Sequence, residues 1–255
     1  MDLNLAQTQS VLIAVRRLGI DIPEPIATVE ARVKAIAKAA ESVAPAHHDM
    51  LAAIIRAVDA GKNPVDDKDV QRMLAGQSLA NDAILHGLRG EAAQLLTEAL
   101  IEHQGLLFDA WRAKFDKATT DLAAAYKVLG GVNLNDTETV LQMGLDASAA
   151  WSTANNALAT LRDVMTAWQS WATVTRQVSV RNDYAILRVA AVDWHTYRDH
   201  ELGGTIDYWK LTGLGIPFGL ADVATYQRRV ADIEAAQRAE VAAAERDRMT
   251  RMQLN

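Results

Sequence analysis

The sequence predicts an all-α protein: a long antiparallel, coiled-coil-like helical hairpin with shorter helices packed around it. Three observations carry that prediction. Alanine fills 46 of the 255 positions and half of the residues are hydrophobic, with good helix formers dominant and β-branched runs scarce. Proline occurs only at positions 23, 25, 45, 64 and 217, so long stretches hold nothing that would interrupt a helix. Two of those stretches repeat apolar residues every seven positions, which is the spacing of a helix–helix seam.

Taken in order, the apolar residues Leu5, Val11, Leu12, Val15 and Leu18 mark a helix over 3–18, ended by Gly19. The stretch 21–25 is extended, because each proline pushes its predecessor out of the helical region. Helical spacing resumes over 26–43 (Ile26, Val29, Val33, Ile36, Ala40, Val43) and closes at Pro45. A third helix covers 46–60, 62–67 is a turn, and a fourth helix covers 66–75. Positions 78–129 read as one long helix, kinked near Gly87–Gly90. The run Gly130-Gly-Val-Asn-Leu-Asn-Asp136 is the strongest turn signal. A second long helix is expected over 136–178, opened by Asn135 or Asp136 as N-cap. A helix over 181–202, a glycine-rich aromatic loop over 203–219 and a last helix over 220–252 complete the chain. The regions are thus 1–76, 77–180, 181–219 and 220–255, read together as one continuous helical domain.

The seam gives the hairpin its expected register. Phe108, Phe115, Leu122 and Leu129 recur every seven residues, with Trp111, Ala118 and Ala125 at the other seam position. The later helix offers Gly144, Trp151, Leu158, Met165 and Ala172, with Val140, Ala147, Ala154, Leu161 and Trp168. Pairing positions whose numbers sum to 269 sets large residues against small ones, so that Trp151 faces Ala118 and Leu161 faces Phe108. A further row, Met143, Ala150, Ala157, Val164, Trp171 and Val178, needs cover from other helices or another subunit.

Composition excludes several chemistries. With no cysteine, disulfides, thiolate metal sites and a cysteine nucleophile are impossible. A net charge of −6 argues against a nucleic-acid partner. No stretch approaches the ~20 apolar residues of a membrane helix, so no membrane partner is expected. The N-terminus lacks a basic n-region and a cleavage site, so no signal peptide is expected and the location is the cytoplasm. P-loop, Rossmann, Gly-x-Ser-x-Gly, His-Glu-x-x-His and Glu-x-x-His motifs are absent. His195 and Asp199 share one helix face and His47-His48-Asp49 opens a helix, but both read as solvated polar residues. The expectation is therefore no catalytic residue, no cofactor and no metal.

Interfaces remain. Tyr208, Trp209 and Phe218 in the glycine-rich loop could form a contact surface. In the last helix Arg238, Arg246, Arg248, Met249, Arg251 and Met252 could dock on a partner, since flexible methionines suit a groove. Residues 234–252 look like a rigid charged arm. The helix rich in Ala, Arg and Asp, the absent cysteine, the seam at 108–129 and 137–175, and the charged end Arg251-Met-Gln-Leu-Asn255 together resemble helical virion or scaffolding proteins of tailed phages infecting actinobacteria. That resemblance implies a non-enzymatic structural or assembly role, in the host cytoplasm or the virion. It also implies a protein partner, either another copy in a homo-oligomer or a coat or shell protein. Here 234–251 alternates in sign where scaffolding proteins carry a basic patch. Two alternatives stand beside it. Tyr197-Arg-Asp-His-Glu201 resembles the Tyr-x-x-x-Asp/Glu signal of type VII secretion substrates, without their Trp-x-Gly turn. A helical enzyme with dispersed catalytic residues is the other.

Overall fold

The computed structural model describes residues 5–43, 47–79 and 82–253. Its elements are α1 (Leu5–Arg17), α2 (Glu24–Val43), α3 (His47–Asp59), α4 (Lys68–Leu79), α5 (Asp82–Glu102), α6 (Gln104–Leu129), α7 (Thr137–Gln142), α8 (Leu145–Thr175), α9 (Trp194–Asp199), α10 (Tyr208–Gly213) and α11 (Val223–Gln253). Turns of 3-10 helix cover Pro64–Asp66 and Asn182–Arg188. Among the described residues there is no strand, only an isolated antiparallel bridge between Ala190 and Phe218. The protein is all-α.

The chain divides into two compact units, one of residues 1–13 and 21–104, the other of 14–20 and 105–255. All fourteen aromatic residues lie in the second. The first unit has an aliphatic core, in which α2 packs on α5. Ile26 and Val33 of α2 are fully buried, as are Ala93, Leu96 and Leu100 of α5. A separate small cluster of Ala53, Ala57 and Val70 joins α3 to α4. The 3-10 turn between them is capped by Asn63, whose side chain accepts from the Val65 amide.

Helix boundaries depart from the sequence expectation in three places. Where one helix is expected over 78–129, residues 82–129 form two, and α5 runs through Gly87 and Gly90 before the chain breaks at His103. An isolated helical glycine costs only ~1 kcal/mol, which packing against α2 offsets. The second long helix is also two. Gly144, at φ 98 and ψ −171, separates α7 from α8, a conformation that a residue with a Cβ adopts only at a cost. Third, 181–202 is not a helix. Five consecutive residues, Tyr184 to Arg188, are buried, and an amphipathic helix cannot bury every side. They form a 3-10 turn, and the Gly219 and Ala221 amides donate to the Val189 and Arg188 carbonyls at 2.7 and 2.8 Å. Asp193 then restarts a helix by accepting from the Thr196 amide at 2.8 Å.

In the second unit every residue expected at the seam of α6 is buried. The expected pairing is not observed. Trp151 is only half-buried, and its indole N–H donates to the Leu134 carbonyl at 2.8 Å. Ala118 instead shares a groove with Asn156 and Ala157 of α8, and Phe108 meets Trp171 at 5.3 Å between ring centroids rather than Leu161. Between α6 and α8 lie the separate turn of α7 and the break at Gly144. The row expected to need cover from other helices or another subunit is largely core of this unit: Ala157, Val164, Trp171 and Val178 are buried, while Met143 is exposed.

Candidate functional site

The feature that stands out from the second unit is the far end of α11, and its geometry follows from how the helix is held. Asp222 caps it, accepting from the Thr225 amide at 2.8 Å, and that bond holds its carboxyl below the usual range. Just before the cap, the Trp168 indole donates to the Ala221 carbonyl at 2.9 Å. Tyr226 packs on Trp168 at 5.4 Å. Arg229 reaches the Leu187 and Gly219 carbonyls at 2.9 and 3.2 Å. One turn on, Glu234 accepts from Arg181, raising the Arg181 pKa. Finally Glu240 accepts from both the Trp194 indole and the Arg198 guanidinium.

Beyond Glu240, residues 241–252 are all exposed. The anchored part therefore extends to position 240, seven residues further than a free arm beginning at 234 would allow. One face of α11 continues across that boundary. Val230, Val241 and Met252 are spaced by eleven residues, which is three helical turns, and so lie on one line. Tyr226 and Ile233 on this face are each 2 % exposed, whereas Val241 is 54 % and Met252 65 % exposed. The same face that is core near Tyr226 is thus bare near Met252. Met249 beside it is 68 % exposed.

The residues proposed from sequence fall into two groups. Tyr208, Trp209 and Phe218 do not form a free contact surface. Tyr208 is buried, and Trp209 stacks near Tyr126 at 4.8 Å and donates to the Val132 carbonyl at 3.1 Å. Phe218 packs between Phe115 and Tyr208, at 6.4 and 6.0 Å. The physical reason is the bridge at Ala190, which folds the loop onto its own unit. Arg238 is exposed on the anchored part, and Arg246, Arg248, Met249, Arg251 and Met252 are exposed on the free part. Sequence reading missed the anchors Glu234 and Glu240 and missed Val241. The eleven-residue spacing was the signal that could have found the last.

The other polar clusters belong to the same anchoring region. The Tyr197 hydroxyl donates to the Asp183 carbonyl and its ring stacks on Trp194, so the secretion-like pattern is engaged inside the unit. His195 is exposed, and Asp199 pairs with Arg198 at 2.9 Å. Among the described residues no group of three or more His, Asp or Glu converges as a metal site would require. The side chains of His47, His48 and Asp49 lie outside the described residues. Among the described residues, no helix is long and apolar enough to cross a membrane. No family model, curated protein or solved structure matches the chain.

Proposed function

We propose that this chain is a non-enzymatic assembly protein of a tailed-phage particle, which self-associates by docking residues 241–253 of α11 on a second copy. The observation that carries the reading is the apolar face that leaves the core and continues, bare, through Val241 and Met252. A segment of thirteen residues spans about 20 Å as helix, and helices of that length are marginal in water without a packing surface. Burying Val241, Met249 and Met252 completely would contribute roughly 1.5–3 kcal/mol each. Charge favours a second copy as the surface. The segment holds three arginines against two acids, while the rest of the chain holds 23 basic against 30 acidic residues.

The test compares the full chain with a truncation ending at Glu240, which keeps every anchor of α11. Light scattering after size exclusion should give an oligomer for the full chain and a monomer for the truncation. Urea unfolding followed by tryptophan fluorescence should be cooperative for both, independent of protein concentration for the truncation and shifted to higher urea with rising concentration for the full chain. A monomeric full chain, or a truncation that no longer unfolds cooperatively, would refute self-association through this segment. Mass spectrometry of purified phage particles tests the particle assignment, and absence from virions and procapsids alike would overturn it.

A further inference from the structure

A second feature of the 105–255 unit has no role in that reading. Arg188 is 1 % exposed, and its Nε and Nη1 atoms have no hydrogen-bond acceptor. An arginine stays charged in the physiological range, and a buried charge without a partner is costly. Its compensation within the protein is partial: the guanidinium carbon lies 5.6 Å from the Trp168 ring centre, a weak cation–π contact. The nearby phenols do not neutralise it. The hydroxyls of Tyr208 and Tyr226 are also buried and also lack hydrogen-bond partners. Burial pushes both phenols above their ordinary pKa, so both are neutral donors at pH 7.

Arg188 and Tyr208 line an open cleft of about 560 Å³ between α8, the 182–188 turn and the 204–208 segment. A cleft of that size holds a small molecule. Its other polar walls include Arg162, Gln169, Asn182 and Thr205, and no acidic residue lines it. Met165 and Ile206 add apolar wall. Two cations, a phenol and two side-chain amides are thus among its walls, and no anion is.

We infer that this cleft binds a small organic oxyanion, a carboxylate or phosphate ester. Its head group takes the hydrogens of Arg188, Arg162 and the Tyr208 hydroxyl, and its apolar part lies against Met165 and Ile206. The chemistry is shared by the two head groups: each supplies several acceptor oxygens and the negative charge that Arg188 lacks.

Calorimetric titration of the full chain with benzoate and with phenyl phosphate, at constant ionic strength in chloride, tests this. At least one should bind saturably, and the tighter of the two identifies the head group. Arg188→Met should weaken that binding at least about tenfold, and because it removes an unpaired buried charge it should not lower the urea midpoint. Arg162→Gln and Tyr208→Phe should each weaken binding several-fold. Saturable binding of neither probe would overturn the inference, as would Arg188→Met binding like the parent. Should Arg188→Met fail to fold, unchanged affinity in both Arg162→Gln and Tyr208→Phe overturns it, and weakened affinity in both supports it.

Discussion

Replacing Trp168 with phenylalanine tests how α8 holds the start of α11. Trp168 is fully buried, and its indole N–H is bonded to the carbonyl of Ala221, itself 1 % exposed. Phenylalanine cannot donate, so that carbonyl loses its bond where water does not reach, costing ~1–3 kcal/mol. The smaller ring also leaves a void of ~40 Å³, which at ~24 cal/mol per Å³ adds ~1 kcal/mol. The total is ~2–4 kcal/mol. Trp151→Phe is the internal control. Its indole bond to Leu134 has similar length, 2.8 Å, but the side chain is only partly buried and water can replace the bond, so the loss should stay below ~1 kcal/mol. All six tryptophans lie in the 105–255 unit. Urea unfolding followed by fluorescence therefore reports that unit alone, and one substitution leaves five reporters. A Trp168→Phe variant no less stable than Trp151→Phe would show that the Ala221 contact does not hold α11.

Two further substitutions probe local devices. Gly144→Ala has open space around the new Cβ but a φ of 98, so it should cost ~1–3 kcal/mol from backbone strain alone, read as a lower urea midpoint; an unchanged midpoint would mean that α7 and α8 need no break there. Asp222→Ala should remove the cap of α11 at ~1 kcal/mol. Because the folded Asp222 carboxyl titrates below its ordinary value, the stability it supplies is complete above the unfolded pKa near ~3.9. It is lost as pH falls through the lower folded value. Asp222→Asn should keep the cap and lose that acid dependence, so the gap in urea midpoint between it and the parent should change as the pH is lowered from 5 towards 2. A gap that stays constant would refute the role of the carboxylate.

Much of the helical pattern was legible because helix propensity and stop signals are local. Gly19 and the glycine pair at 130–131 take positive φ where the sequence places turns, and Asp136 caps α7 by accepting from the Thr139 amide. The seam residues of α6 are buried because a heptad stripe marks a face whatever partner covers it. The partner itself was not legible. The segment 184–188 is buried on every side, which erases the period that would have announced it. The loop aromatics Tyr208, Trp209 and Phe218 looked like contact residues because a sequence shows hydrophobicity without showing what lies opposite. Arg188 gave no signal at all, since nothing local distinguishes a buried arginine from a solvated one.

By itself the sequence determined the helical class, the main turns and the buried face of α6, since these depend on propensity, φ preferences and periodicity within one stretch of chain. It also determined the charged, alanine-rich end of the last helix. Tertiary structure alone decided which surfaces meet. Phe108 of α6 met Trp171 of α8, and the Ala190–Phe218 bridge turned the aromatic loop inward. Glu240 anchored α11 up to the point where its apolar face becomes bare. Each of these rests on contacts between residues far apart in the chain. Such contacts are selected by packing and by the pairing of buried polar groups, and they leave no local pattern to read.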